Sequence, residues 1–244
     1  MNFRRILFKI SGESLMGAKS FGYDAEAIGR VAKEISHLHK SGVQICAVVG
    51  GGNVFRGVSN SENLIDRTNA DCMGMLATIM NGIALQSFLL RFNIPTEIQS
   101  ALRVEKICEA YNRKEALEYI EGGKVVLFVA GTGNPFFTTD TAAILRASEM
   151  HCDVVLKGTQ VNGVYSEDPK KFPNARRYKT ITFDEVLRKN IRIMDQTAFA
   201  LAKSNSIPIV IFRFRDGDSI MDLLKDRNNY TLVSSDVAVE EFDE

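Results

Sequence analysis

The chain has 244 residues, with 30 basic and 30 acidic side chains and a formal net charge of zero. This balance argues against a basic face for nucleic acid or for an anionic membrane. No uninterrupted apolar run approaches the roughly 18 residues of a membrane span, and the chain starts without the apolar region of a signal peptide. We therefore expect a cytoplasmic protein with neither a membrane nor a nucleic-acid partner.

The four cysteines lie far apart and form no Cys-x-x-Cys pair; they are Cys46, Cys72, Cys108 and Cys152. This spacing argues against structural disulfides and against a zinc site. We expect four buried, reduced thiols and no metal held by protein side chains.

Strand and helix patterns alternate along the chain. Apolar runs rich in Val and Ile predict strands at Ile6–Ile10, Val43–Val49, Pro95–Gln99, Val125–Ala130, Asp153–Lys157 and Pro208–Phe212. Helical patterns between them predict helices at Asp24–Lys40, Arg67–Phe92, Arg113–Glu121, Thr139–Met150, Phe183–Lys189, Thr197–Ser204 and Ser219–Lys225. This order is typical of an α/β fold with helices on both faces of a mainly parallel sheet. No linker divides residues 1–235, which we expect to form one domain, and acidic residues 236–244 are expected to be a disordered tail.

The end of the first strand is a candidate phosphate site. Ligands of parallel sheets bind at the carboxyl ends of the strands, and here the strand runs into Lys9-Ile-Ser-Gly12. The alternative is a surface lysine beside a turn. The next residues, GESLMGAKS at 12–20, fail as a P-loop because Ala18 breaks the GxxxxGK[ST] spacing.

Two glycine-rich loops follow other predicted strands. GGGNVFRG at 50–57 implies close approach of a ligand or of another backbone, and the planar fork of Arg56 suits a phosphoryl group. GTGNPFFTTD at 131–140 precedes a helix, whose N-terminus favours an anion. Phe55 and Phe136 stand where a dinucleotide fingerprint needs its third glycine. The loops therefore predict a phosphate-handling enzyme and argue against a dinucleotide enzyme.

A third loop, residues 158–169, combines the tight turn Asn162-Gly163 with Tyr165, which could stack on a base, and Asp168, which could accept from a ribose. A plain hairpin turn with a half-buried tyrosine explains it equally well. The three histidines lie away from the glycine loops. A reaction without a general base fits this, such as phosphoryl transfer to an acceptor phosphate that is already ionised.

These motifs together resemble the amino acid kinase superfamily and, within it, the bacterial UMP kinases, over residues 3–235. The resemblance implies a three-layer α/β/α sandwich with an eight-stranded, mainly parallel sheet. It implies reversible transfer of the ATP γ-phosphate to UMP, giving UDP and ADP in pyrimidine nucleotide (CTP) biosynthesis, with Mg²⁺ carried on the nucleotide phosphates. It also implies a homohexamer that is inhibited by UTP and activated by GTP.

The resemblance assigns roles motif by motif. It places ATP on Lys9, Ile10, Ser11, Gly12, Gly52, Arg56, Thr159, Asn162, Tyr165 and Asp168. It places UMP on Gly51, Asp71, Thr132, Gly133, Asn134, Pro135, Phe136, Phe137, Thr138 and Thr139. The implied catalytic residues are Lys9, Arg56, Asp140 and Asp195, of which the two aspartates would orient the lysines unless either is only a helix cap. The implied GTP loop is Gly17, Ala18, Lys19, Ser20, Phe21 and Gly22, whose middle residues depart from the form expected of the family.

Two roles are open for Asp71. We place it just before a long helix that begins at Met73, where it either caps that helix or accepts the ribose hydroxyls of UMP. The apolar stretch from Met73 to Phe92 exceeds what one small domain need cover and predicts self-association.

Two rival functions remain open: a nucleotide-binding regulator without turnover, and a kinase for a small carboxylate or carbamate. The presence of both Lys9 and Arg56 argues against a regulator, and the Pro135-Phe-Phe segment suits a flat base better than a small acid.

Overall fold

The computed structural model describes residues 3–55, 65–214 and 219–242. Its strands are β1 (Arg5–Ile10), β2 (Gln44–Val49), β3 (Thr96–Ser100), β4 (Glu109–Ala110), β5 (Val125–Val129), β6 (Val154–Thr159), β7 (Tyr178–Thr182), β8 (Ile209–Arg213), β9 (Tyr230–Ser234) and β10 (Glu240–Glu241). Its α-helices are α1 (Ala25–Lys40), α2 (Arg67–Arg91), α3 (Arg113–Glu121), α4 (Thr139–Glu149), α5 (Phe183–Arg188), α6 (Gln196–Ser204) and α7 (Ile220–Lys225).

Every strand and helix predicted from the sequence is present, each within two residues of its expected bounds. Local capping explains this precision. Asp24 accepts the N–H of Ala27 at the start of α1, and Thr182 accepts the N–H of Glu185 at the start of α5. Such caps satisfy backbone donors that the first helical turn leaves unpaired, so they define where each helix begins.

The strands form one sheet in the order β10-β7-β9-β8-β6-β1-β2-β5-β3-β4. All neighbours are parallel except β8 with β9 and β7 with β10. Residues of α1, α2 and α7 pack in the apolar cluster on one face, and residues of α3, α4 and α6 pack in the cluster on the other. The expected three-layer α/β/α sandwich is confirmed, and β4 and β10 are two-residue additions to an eight-stranded core.

Strand β1 lies in the middle of the sheet, between β2 and β6. Its side chains alternate between the two faces, so that Ile6, Phe8 and Ile10 join the cluster under α1 and α2 while Leu7 joins the cluster under α4. The same alternation directs Lys9 to the α4 side. Helix α1, which follows β1, packs on one face and α4 packs on the other, and ligands of such sheets bind at the carboxyl ends of the strands.

Strands β4, β7, β9 and β10 were not predicted, and β10 lies within the acidic end of the chain. Glu240–Glu241 pair with β7, and the ring of Phe242 lies 3.8 Å from the guanidinium of Arg177. The described residues of the acidic end thus contact the sheet edge, where backbone groups and a cation are available to them.

The expectation of four buried thiols is half correct. Cys46 and Cys152 are buried, whereas Cys72 and Cys108 are only half-buried, and all four are free. Burial and the neighbouring Cys152 raise the pKa of the Cys46 thiol well above its usual value. These thiols therefore act as small apolar side chains of the core.

Helix α2 is long and apolar enough to cross a membrane by length and composition, yet only 44% of its apolar window is buried. One face packs on the sheet, where Leu85 and Leu89 are fully buried. A second face leaves a stripe of large apolar side chains exposed: Met73, Leu76, Met80, Ile83 and Leu90. Their spacing of three or four residues, with a gap of seven at the end, is that of a helix-packing seam.

Candidate active site

Two buried lysines lie side by side at the carboxyl ends of adjacent strands. Lys9 of β1 and Lys157 of β6 are register partners, and each is less than one-tenth exposed. Asp140, in the first turn of α4, lies between them. Its Oδ1 is 2.7 Å from Lys9 Nζ, and its Oδ2 accepts from Lys157 Nζ at 2.6 Å. The Lys157 ammonium also donates to the carbonyl of Ile193 at 2.8 Å. A single carboxylate thus orients both lysines.

The three charges shift one another's pKa values. Burial would raise the pKa of Asp140, but the two neighbouring ammoniums outweigh it and lower that pKa to about 2. Burial lowers the pKa of Lys157 to about 8, with Lys9 acting in the same direction and Asp140 in the opposite one. The cluster therefore holds two cations against one anion at neutral pH. Such a preoriented excess of positive charge can stabilise an anion or a developing negative charge.

Asp195 has a different role from Asp140. It is the N-cap of α6, where it accepts the N–H of Ala198 at 2.8 Å. It also accepts from the hydroxyls of Thr141, at 2.9 Å, and of Thr138. Within the described ranges it forms no ion pair with either lysine, although its charge raises the pKa of Lys157. Asp195 is therefore a helix cap that ties the start of α6 to the start of α4, and its expected orientation of the lysines stays a prediction.

Close packing explains two of the glycines in the first two loops. A Cβ on Gly12 would lie 2.6 Å from Asn53 Oδ1 and 2.9 Å from the carbonyl of Gly50, and one on Gly51 would lie 2.8 Å from the carbonyl of Gly74 in α2. Gly52 instead has no atom within 4 Å of that position. The two loops therefore interlock at Gly12, and Gly51 packs closely against α2. Arg56, predicted beside them, lies outside the described residues.

A cavity of about 590 Å³ opens above the two lysines. Its lining includes the predicted residues Lys9, Ser11 and Thr159, and it also includes residues that the sequence analysis missed: Glu13, Ser14, Arg30, Lys157 and Arg213. Lys157 could have been found, because a lysine at the end of a second buried strand repeats the pattern of Lys9. The others lie on neighbouring elements that carry no recognisable motif.

A second cavity of about 540 Å³ adjoins the first and shares Thr159, Gln160 and Ile193 with it. Tyr165 and Asp168 line it as predicted. Asn162 is not among its lining residues; its carbonyl accepts from Arg177. The two cavities form a continuous trough along the carboxyl ends of β1 and β6.

The loop at 131–138 has a strained backbone and is hydrogen-bonded to α2 and to the start of α4. Ala130 and Phe136 have φ of 62° and 71°, values that favour glycine. The Phe136 N–H donates to Asp71 Oδ2 at 2.7 Å, and Thr138 accepts the N–H of Asp140 and caps α4. The loop thereby places its backbone between α2 and the lysine cluster.

The sequence analysis gave two starts for α2, Arg67 from the helical pattern and Met73 for the placement of Asp71; the first is correct and the second is wrong. Helix α2 begins at Arg67, and its N-cap is Asp66, which accepts the N–H groups of Thr68 and Asn69. Asp66 already satisfies these donors, so Asp71 lies inside the helix and its side chain contacts the Phe136 loop. The capping alternative is excluded for Asp71, which contacts the loop at 131–138, the loop on which the resemblance also places UMP.

The segment at 17–22, implied as a GTP loop, lies beside the first cavity, which Gly17 and Ala18 help to line. Gly22 is bonded to Asn53 in both directions: its N–H donates to the Asn53 carbonyl at 2.8 Å, and its carbonyl accepts from Asn53 Nδ2 at 3.0 Å. The ring of Phe21 is exposed. This loop is therefore coupled to the glycine loop through one buried asparagine.

Comparisons with known proteins agree with this arrangement. The model of the amino acid kinase family matches residues 4–213. A uridylate kinase of Wolbachia pipientis wMel is 51% identical, over 96% of this chain and 94% of the relative. One of Paramagnetospirillum magneticum is 48% identical, over 96% and 98%.

Solved structures give the same result. The crystal structure of UMP kinase from Bacillus anthracis matches with a TM-score of 0.93 at 32% identity and covers 100% of both chains. That of UMP kinase from Ureaplasma parvum matches with a TM-score of 0.90 at 40% identity, over 96% of this chain and 100% of the other. Together with the paired lysines and the glycine loops, these matches show that the chain belongs to the amino acid kinase family, among its uridylate kinases.

Proposed function

We propose that this protein catalyses the reversible transfer of the ATP γ-phosphate to UMP, giving UDP and ADP, and that it supplies pyrimidine nucleotide (CTP) biosynthesis. The observation that carries the proposal is the cluster of Lys9 and Lys157 around Asp140 at the mouth of the trough. Phosphoryl transfer proceeds through a transition state whose negative charge is spread over the transferred group, and catalysis consists mainly of positioning and charge stabilisation.

The donor occupies the trough. Its phosphates lie against Lys9, Ile10, Ser11, Gly12 and Gly52, with Arg56 near the transferred group, and its adenosine lies against Thr159, Tyr165 and Asp168, with Asn162 on the same loop. Mg²⁺ fits this site through the nucleotide phosphates, because the buried carboxylate of Asp140 is already paired with two ammoniums. When bound, it neutralises charge on the phosphates.

The acceptor lies on the other side of the lysine cluster. Asp71 accepts the ribose hydroxyls, Gly51 and the loop from Thr132 to Thr139 surround the nucleotide, and the acceptor phosphate points toward Lys9. Because this phosphate is ionised at neutral pH, no side chain has to remove a proton before attack. Lys9 and Lys157 hold the charge of the transferred group while Asp140 fixes their positions.

Assembly and regulation belong to the same proposal. The exposed seam of α2 is self-complementary in character and supports a homohexamer built from dimers that pack through this helix. UTP, which shares the uridine of the acceptor, is the proposed inhibitor. GTP is the proposed activator, acting through the loop 17–22 that Asn53 links to the glycine loop. The proposed location is the cytoplasm.

One assay tests the activity. ADP release from ATP is measured with UMP, CMP, AMP, carbamate and acetylglutamate as acceptors, each at several concentrations. We expect turnover with UMP to exceed that with every other acceptor by at least tenfold in kcat/KM. Preferred turnover of carbamate or acetylglutamate would support the rival small-acid kinase, and binding of ATP without turnover of any acceptor would support the regulatory rival.

A further inference from the structure

Asp71 uses its two carboxylate oxygens differently. Oδ2 accepts two hydrogen bonds, from the Phe136 N–H at 2.7 Å and from Arg67 Nε at 2.8 Å. In the part of the chain that the structure describes, Oδ1 accepts none. Oδ2 is thus bonded within the protein, and Oδ1 remains available to accept from a bound hydroxyl.

Arg67 contacts both Asp71 and the ring of Phe136. It lies one turn before Asp71 on α2, so its guanidinium reaches Oδ2 along the helix. The same guanidinium lies 5.8 Å from the centroid of the Phe136 ring, within cation–π range. Phe136 has a left-handed backbone and a ring that is 67% exposed. The first two turns of α2 therefore contact the strained loop at two points, its backbone through Asp71 and its Phe136 ring through Arg67.

We propose that Arg67 is a positioning residue that determines recognition of the acceptor ribose. By donating to Oδ2, Arg67 fixes the rotamer of Asp71 so that Oδ1 faces the ribose hydroxyls. By covering the Phe136 ring, it keeps the loop at 131–138 in its strained conformation. Arg67 itself touches neither the transferred phosphate nor the lysine cluster. Its removal should weaken acceptor binding and ribose discrimination and leave the chemical step intact. This inference rests on the proposed function.

The test compares Arg67→Ala and Arg67→Lys with wild type, with UMP and dUMP as acceptors at saturating ATP. We expect Arg67→Ala to raise KM for UMP about three- to tenfold, the range of one exposed ion pair plus one cation–π contact, with kcat within twofold of wild type. The UMP/dUMP preference should fall toward one. Arg67→Lys, which can restore the charge but lacks the planar fork, should recover part of both effects.

Arg91→Ala is the matched control. Arg91 ends the same helix, about 36 Å along the axis at 1.5 Å per residue, and its guanidinium also lies over a phenylalanine ring, that of Phe88, at 4.8 Å. Among the described residues, Arg91 has no contact with the loop at 131–138. The KM of Arg91→Ala for UMP should therefore equal that of wild type. Equal thermal midpoints of all variants would show that the fold is retained.

The outcomes separate this inference from the proposed function. Unchanged KM and an unchanged UMP/dUMP ratio in Arg67→Ala would overturn the role of Arg67 while wild-type turnover upheld the activity. A fall in kcat at constant KM would also overturn it, because the residue would then act on the chemical step. Wild type that fails to phosphorylate UMP would refute the proposed function, and the assignment of Arg67 with it.

Discussion

Replacing Asp140 by Asn tests the charge cluster most directly, since it removes one negative charge and almost no volume. In wild type the carboxylate lies 2.7 Å from Lys9 Nζ and 2.6 Å from Lys157 Nζ. At an effective dielectric constant of about 20, each contact amounts to roughly 6 kcal/mol of Coulomb energy, most of which only offsets the cost of burying the ions. Removing one member of a buried ion pair, so that the other charge is left without its partner, typically costs about 3–5 kcal/mol of unfolding free energy.

The protein has one way to reduce this cost. Lys157 already has a pKa of about 8, depressed first by burial, and Asp140 is the main group that raises it. Without Asp140 its pKa should fall further, so that Lys157 releases its proton more readily in the folded variant. We therefore expect Asp140→Asn to lose about 3 kcal/mol of unfolding free energy at pH 7. A lysine whose folded pKa is lower than its unfolded value makes stability rise with pH between those two values. The loss should consequently be smaller at pH 9 than at pH 6.

Activity supplies the second measurement. Wild-type kcat/KM for ATP should decline as pH rises through about 8, because neutral Lys157 no longer stabilises the transferred group. In Asp140→Asn this decline should begin at least one pH unit lower, and kcat at pH 7 should be at least 10²-fold below wild type. Urea unfolding and rate profiles from pH 6 to 9.5 measure both. Asp184→Asn, which removes an exposed aspartate paired with Lys203, is the control. An alkaline limb at the same pH in Asp140→Asn and wild type would refute this account of the cluster.

Three further predictions concern Lys9, Asp71 and the assembly of the chains. Lys9→Met should lower kcat by about 10²-fold or more with nearly unchanged KM for UMP, and turnover at the wild-type rate would exclude Lys9 from the chemical step. Asp71→Ala should lower kcat/KM for UMP about 10- to 100-fold and flatten the UMP/dUMP preference; an unchanged preference in a folded variant would place ribose recognition elsewhere. Light scattering at micromolar concentration should give the mass of six chains of 27.1 kDa, and Met80→Glu in the α2 seam should reduce it. A wild-type mass of one chain would contradict the proposed assembly.

The candidate site was predictable where its residues lie in local motifs. Lys9 was identified because it follows a buried strand and precedes Ser11-Gly12, and the loop 131–140 because it joins a buried strand to a capped helix. Lys157 was missed as a site residue, although it occupies the same position in its own strand as Lys9. Its importance comes from the parallel pairing of β1 with β6, which brings two lysines 148 residues apart in sequence to the same carboxylate.

The sequence by itself determined the helices and strands that carry strong periodicity and clear caps, and with them the α/β class. Only the tertiary structure decided which distant side chains meet. Strands β7 and β9 mix polar and apolar residues, and they exist because neighbouring strands supply their hydrogen bonds. Because α2 begins at Arg67 and is capped by Asp66, Asp71 lies inside the helix and contacts the Phe136 loop. Asp140 and Asp195 look alike in sequence, since each stands at a helix start. Asp140 became the partner of two lysines and Asp195 a cap, because an ion pair depends on which strands lie alongside, whereas a cap depends only on the next three residues.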